Sequence, residues 1–326
     1  MMRAMKIKVI GVALDLGAEF RGAALGPAAA RAAGLVSHLQ ALGHEVRDAG
    51  DVHTVPPSPD DRVSLNSKCR FKNEVVSVCR RLHHAVSMAL QEGYFPLVIG
   101  GDHSLAMGSA SAVSQFFEHQ NLQTGLIWFD AHGDINTPES SLTGNIHGMP
   151  VAHLLGLGDS DLNLMRGRLS GFRAENTVLI GPRDLDDGER KIITELGVHV
   201  FTAEDIQRMG IATVISQAHK LASKNANGYH VSFDMDWLDP AVAPGVGTPV
   251  VAGANRAQAL VALQLIAKWG WMRSLDIVEL NPLFDDANIT ARLAVEFASA
   301  ALPRIESRDK PFLTQERRSA SKEQSR

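Results

Sequence analysis

Six residues in three short segments carry the means for metal chemistry. They are His103 in Gly-Gly-Asp-His (100–103), Asp130, His132 and Asp134 in Asp-Ala-His-Gly-Asp (130–134), and Asp234 and Asp236 in Asp-Met-Asp (234–236). Four carboxylates gathered in one place repel one another unless a cation neutralises them. The set holds two imidazoles and no thiolate. It therefore favours Mn²⁺, with Fe²⁺ or Co²⁺ as substitutes, over a closed structural zinc site. Two such ions can share carboxylates and hold a hydroxide between them at neutral pH. A lone Gly-Asp-His is equally a turn, and Asp-x-Asp alone is weak. Asp-x-His-x-Asp after a buried strand is stronger, because three desolvated polar groups there are costly without a partner.

Each segment follows an apolar run that reads as a buried strand: FPLVI at 95–99, TGLIWF at 124–129 and YHVSF at 229–233. Such strands belong to parallel sheets, whose chemistry sits past the carboxyl ends of the strands. Side chains two apart on a strand share a face, so Asp234 and Asp236 can reach one site, and a locally extended 130–134 aligns Asp130, His132 and Asp134.

The other elements fit that frame. Strands are predicted at 7–14, 44–50 (near an edge), 177–181, 199–202 and 275–280. Helices are predicted near 27–42 (closed by Gly43), 68–92, 104–117, 148–156, 203–223 and 287–301, with loops at 15–27, 54–66, 135–148 and after Phe233. The alternation predicts an α/β fold, one doubly wound sheet with helices on both faces. No linker divides residues 1–302, which read as a single catalytic domain. Residues 303–326 are polar and read as a loosely ordered tail, a subunit contact being the alternative.

A formal net charge of −4 argues against a general nucleic-acid or membrane-surface binder. No apolar run reaches the ~18 residues of a membrane span. The basic N-terminus runs straight into a strand pattern, unlike a cleaved signal peptide. Cys69 and Cys79, ten apart on an expected helix, give no disulfide framework and read as free thiols of a cytoplasmic protein.

The motifs GGDHSLAMGS (100–109), FDAHGDINTP (129–138), GNIHGMP (144–150) and SFDMDWLDPAVAPGVGTPV (232–250) resemble those of the ureohydrolase family, and arginases most closely. GAEFRGAALGPAAAR (17–31) is similar to the opening segment of that group, and the likeness runs from about Gly11 to Leu302. The resemblance implies a three-layer α/β/α sandwich, arginase/deacetylase-like, with a mainly parallel sheet of eight strands, and a homotrimer or homohexamer. It implies two manganese ions, the first on His103, Asp130, Asp134 and Asp234, the second on Asp130, His132, Asp234 and Asp236. It implies attack of a bridging hydroxide on the guanidinium carbon of L-arginine, giving urea and L-ornithine. Asp134 then helps move a proton to the departing amine, His147 shuttles protons at the mouth, and Glu279 pairs with the guanidinium.

The far end of the substrate separates arginine from agmatine, which lacks the α-carboxylate. Asn136, Thr143 and Asn145 supply neutral donors for a carboxylate, Asp186 and Glu189 supply acids for an ammonium, and the resemblance adds Thr248 as a substrate contact. Bland readings stand beside these: a strand-end ion pair for Glu279, a structural loop histidine for His147, and a helix cap for Asp186 and Glu189. Gly133, Thr143, Met149 and Trp237 depart from common arginase residues. The rival functions are another guanidino hydrolase (acting on agmatine, guanidinobutyrate or formiminoglutamate), a non-catalytic metal- or arginine-binding regulator, and a metal-dependent deacetylase.

Overall fold

Eight parallel strands run through the centre of the molecule. They are β1 (Lys6–Val12), β2 (Glu45–Val52), β3 (Phe95–Gly100), β4 (Gly125–Phe129), β5 (Thr177–Ile180), β6 (His199–Phe201), β7 (Tyr229–Asp234) and β8 (Met272–Val278). The computed structural model describes residues 4–54, 68–163 and 171–302. The strands lie in the order β2-β1-β3-β8-β7-β4-β5-β6. The inner strands are buried along their length, as their continuous apolar runs require, and the charged β2 lies at an edge. The fold is the α/β sandwich expected from the sequence.

Eleven α-helices appear among the described residues: α1 (Gly26–Ala32), α2 (Leu35–Ala41), α3 (Lys72–Gln91), α4 (Ala106–Glu118), α5 (Pro150–Leu154), α6 (Ser160–Asn163), α7 (Asp187–Leu196), α8 (Ala203–Met209), α9 (Ile211–Ala222), α10 (Arg256–Trp269) and α11 (Ile289–Ala301). Alternation along the strands feeds both faces. Ile127, Phe129, Val231 and Phe233 pack with residues of α1, α2 and α8–α11. Leu126 and Trp128 point the other way, toward α4 and α5, while α3 packs over β1 and β3 on that same face. None of the described helices is long and apolar enough to cross a membrane.

Several local expectations change. The helix predicted over 27–42 is two helices, because Gly34 adopts a left-handed φ of 92°. The stretch 203–223 is likewise broken, at Gly210 with φ 79°. Helix α10 was not expected. Its signal is the Asn255-Arg-Ala-Gln258 capping box, in which Asn255 accepts from the Gln258 N–H while the Gln258 side chain accepts from Asn255. Cys69 lies ahead of α3 and Cys79 within it, and both are buried and outside any disulfide. Most of the loop expected at 54–66 and all of the tail at 303–326 lie outside the described residues.

Trp237 is fully buried against Phe129 and Phe233, with ring centroids at 5.0 and 5.5 Å. Gly181 makes this possible: its φ is 95°, and a Cβ there would lie 2.1 Å from Trp237 Nε1. Gly181→Ala is therefore expected to cost about 3 kcal/mol of stability through strain and overpacking. Denaturant unfolding reads this directly, and an unchanged midpoint would refute the account.

Candidate metal centre and cleft

The four strands that carry the chemistry are neighbours in the sheet, in the order β3, β8, β7, β4. Their carboxyl ends place His103, Glu279, Asp234 with Asp236, and the 130–134 segment side by side. The segment is not extended, contrary to expectation. Asp134 takes φ 51° and Glu279 takes φ 60°, both in the left-handed region that non-glycine residues avoid. Such strain concentrates at functional sites, where surrounding structure holds it. Here the turn at Asp134 swings its carboxylate back toward His103. Asp236 sits in a 3-10 turn, with its N–H donating to Asp234 Oδ1 at 2.7 Å.

The six expected ligands converge. His103 Nδ1 lies 3.0 Å from Asp130 Oδ2, 3.0 Å from Asp134 Oδ2 and 2.9 Å from Asp234 Oδ2. His132 Nδ1 lies 3.3 Å from Asp130 Oδ1 and 3.1 Å from Asp236 Oδ2. Two groups of ligand atoms result, one of His103, Asp130 and Asp134, the other of Asp130, His132 and Asp236. Asp130 turns one oxygen to each group, which is the geometry of a bridging carboxylate. His103 Nδ1 is buried and makes no well-formed hydrogen bond, although three carboxylate oxygens crowd it. One ring nitrogen carries at most one proton and cannot satisfy three acceptors. The donor set therefore fits a pair of divalent cations.

The electrostatics agree. Burial raises the Asp134 carboxyl to about 8, with Asp130 adding repulsion. Burial, with Asp236 and Asp130, lifts Asp234 well above its ordinary value. Burial opposes charging His103, yet Asp130, Asp134 and Asp234 carry its pKa well above the usual one. The same balance, led by Asp236 and Asp130, raises His132. Burial disfavours ionised Asp130, but the His103 and His132 rings beside it hold its pKa below the ordinary value.

Some residues around the cluster were not singled out from sequence. Trp128 stacks on His103 at 3.9 Å and donates its Nε1–H to Asp130 at 2.9 Å. Ser232 Oγ lies 2.7 Å from His103 Nε2 and so fixes the ring, as partners of metal-bound histidines do. Each stands two residues before a ligand on its strand, so alternation would have found them. Asp102 receives the N–H groups of Gly17 and Ser104 and is held at about 6 by burial, with Glu279 adding to the rise.

A cleft of about 310 Å³ opens onto His132 and Asp134, and Asn136, Thr143, Asn145, His147, Asp186, Glu189 and Thr248 also line it. The candidate contacts for the far end of the substrate, with Thr248, are thus in one cavity, while Glu279 is not among its lining residues. Trp237 is absent from it, so its bulk does not narrow the cleft. Glu279 is buried, and its Oε1 accepts the His103 N–H at 2.9 Å and lies 3.0 Å from His147 Nδ1. The strand-end ion pair and the loop histidine are therefore one contact. Burial opposes protonation of His147, but Glu279 raises it to about 9. Thr248 Oγ1 donates to Asp236 Oδ2 at 3.1 Å.

The helix-cap reading of Asp186 and Glu189 is also present. Asp186 caps α7 in a capping box with Glu189, while its other oxygen accepts from Asn136 Nδ2 at 2.8 Å. Burial raises Glu189 to about 7. Gly133 is needed here, since a Cβ would meet Glu189 Oε1 at 2.8 Å and Leu185 at 2.7 Å.

Comparison with known proteins agrees with this geometry. Residues 5–302 match the model of the arginase family. The chain is 42% identical over 294 residues to an arginase of Brevibacillus brevis, covering 90% of this chain and 96% of that one. It superposes on a crystal structure of arginase from Bacillus cereus with TM-score 0.85 and 39% identity, over 93% and 100% of the two chains. An Entamoeba histolytica arginase in complex with L-ornithine gives TM-score 0.83 at 31% identity, over 92% and 98%. With the ligand geometry, the cleft and these likenesses together, the chain belongs to the arginase family.

Proposed function

We propose that the protein is an arginase, a hydrolase that cleaves L-arginine to urea and L-ornithine with two manganese ions. The observation that carries this reading is the double cluster sharing Asp130 at the base of a cleft whose rim offers both amide donors and carboxylates. When bound, the cation pair lowers the pKa of water enough to supply a hydroxide nucleophile at neutral pH.

The chain's own residues do the rest. His103, Asp130, Asp134 and Asp234 would hold one ion, and Asp130, His132, Asp234 and Asp236 the other. Glu279 Oε1 is engaged by His103 and His147, which leaves Oε2 for a guanidinium. His147, charged at neutral pH beside Glu279, is placed to pass a proton outward. Asp134, which lines the cleft beside His103, would relay a proton from the attacking water to the departing amine. At the far end, Asn136, Thr143 and Asn145 face an α-carboxylate, and Asp186 with Glu189 faces an α-ammonium. Thr248 steadies Asp236 beside the substrate. The Entamoeba arginase that binds L-ornithine supports the α-group reading.

Urea release from manganese-loaded protein, offered L-arginine and agmatine in parallel, tests the function. Urea from arginine alone is expected, and urea from agmatine alone would sink the α-group assignment. Asp186→Ser separates its two roles, since serine also caps helices but carries no charge. Its KM for L-arginine is expected to rise on the order of tenfold or more, with melting nearly unchanged. An unaltered KM would leave Asp186 as a cap alone.

A further inference from the structure

Arg70 belongs to none of the motifs above, yet it holds the rim of the cleft from behind. It precedes α3 and is half-buried, and its backbone N–H donates to Gly144 O at 2.9 Å. Its guanidinium Nη1 donates to Asn145 Oδ1 at 3.0 Å. The second contact settles a chemical ambiguity. The two ends of an asparagine amide are nearly alike in shape, so only the partners decide which end faces which way. A guanidinium has donors and no acceptor, so the end of Asn145 toward Arg70 must be the oxygen. The NH₂ is then the polar group left to the cleft that Asn145 lines. A second bond holds the same residue: its backbone N–H donates to Thr143 Oγ1 at 3.1 Å.

We propose that Arg70 is a positioning residue for substrate specificity. It locks the Asn145 amide with donors toward the cleft, so that the site selects ligands carrying a carboxylate. The inference rests on the arginase reading above. With Arg70 removed, the amide can turn over and present its oxygen, which repels a carboxylate. Lysine also offers donors only, and so restores the orientation wherever its ammonium reaches Oδ1.

The test uses full-length manganese-loaded protein, wild type, Arg70→Met and Arg70→Lys. Steady-state kinetics with L-arginine are joined by inhibition constants for L-ornithine and for putrescine, which is ornithine without its carboxylate. Arg70→Met is expected to raise the KM for L-arginine and weaken L-ornithine about tenfold, the scale of one charge-assisted hydrogen bond. Its kcat should stay within about threefold and its putrescine inhibition should not change. Arg70→Lys should recover most of the loss. Equal weakening of ornithine and putrescine, or a fall in kcat without a change in KM, would show a merely structural role and overturn the assignment. If Arg70→Met fails to fold, Arg70→Gln, which can present either end, takes its place: an ornithine-to-putrescine ratio of inhibition constants raised above wild type, with Arg70→Lys nearer to wild type, upholds the assignment, and an unchanged ratio overturns it. A wild-type enzyme that releases no urea from L-arginine overturns this inference together with the function. An active wild type with unaltered variants overturns Arg70 alone.

Discussion

Replacing Asp130 by asparagine is expected to lower urea release from L-arginine by about a thousandfold or more. It should also reduce bound manganese from about two ions per chain to one or fewer, because both ligand groups draw on this one residue. Asp130 Oδ2 faces His103, and Oδ1 lies 2.7 Å from the His132 N–H and 3.3 Å from its ring. An asparagine keeps one oxygen and turns an NH₂ to the other group, where a donor cannot ligate a cation. The fold should survive. Removing the carboxylate relieves repulsion on Asp134 and Asp234 but also takes the anionic partner from His103 and His132. Melting of the metal-free variant is therefore expected to stay close to that of the metal-free wild type. Metal analysis, a urea assay and a melting curve on one preparation check all of this. A variant that retains both ions would show that Asp130 does not bridge.

The second large effect is the opposite response of metal-free and manganese-loaded protein to pH. A carboxyl whose pKa rises on folding destabilises the folded chain as pH climbs from its unfolded value toward its folded one. For Asp134 that window runs from about 4 to about 8. His103 and His132 are raised as well, so what they contribute is fully present below about 6.5 and is lost as pH rises through their folded values. Asp130, shifted down, opposes this, but it is outnumbered. Metal-free protein should thus lose stability as pH rises across neutrality. Manganese needs these groups deprotonated, so its binding releases protons and strengthens over the same range. With each ion at about a hundred times its Kd, two sites add about 5 kcal/mol, or about 10 °C in melting temperature. Melting curves with and without manganese at about pH 5.5 and about pH 8.5 read both trends. The increment from manganese should widen with pH, and a narrowing one would mean that the titrating groups are not the ligands.

Much of this site was legible in the residue order. Buried parallel strands show as continuous apolar runs, because both faces are covered by helices. Polar residues clustered just past such runs are costly unless they serve chemistry, which marked His103, Asp130, His132, Asp134, Asp234 and Asp236. The departures have local causes. Gly34 and Gly210 broke expected helices because glycine enters the left-handed region at little cost, and periodicity alone does not register that. Helix α10 was hidden behind a Pro/Gly-rich loop, although its capping box was written in the sequence.

By itself, then, the sequence determined the alternating elements, the donor types and the strand ends on which they sit, because these depend on local pattern. Only the tertiary structure decided that β3, β8, β7 and β4 are neighbours, since strand order is a long-range choice that period and propensity do not encode. The same holds for the turn at Asp134, the shared Glu279–His147 contact and the hold of Arg70 on Asn145. Each joins segments far apart in the chain or depends on backbone strain that the surrounding packing sustains.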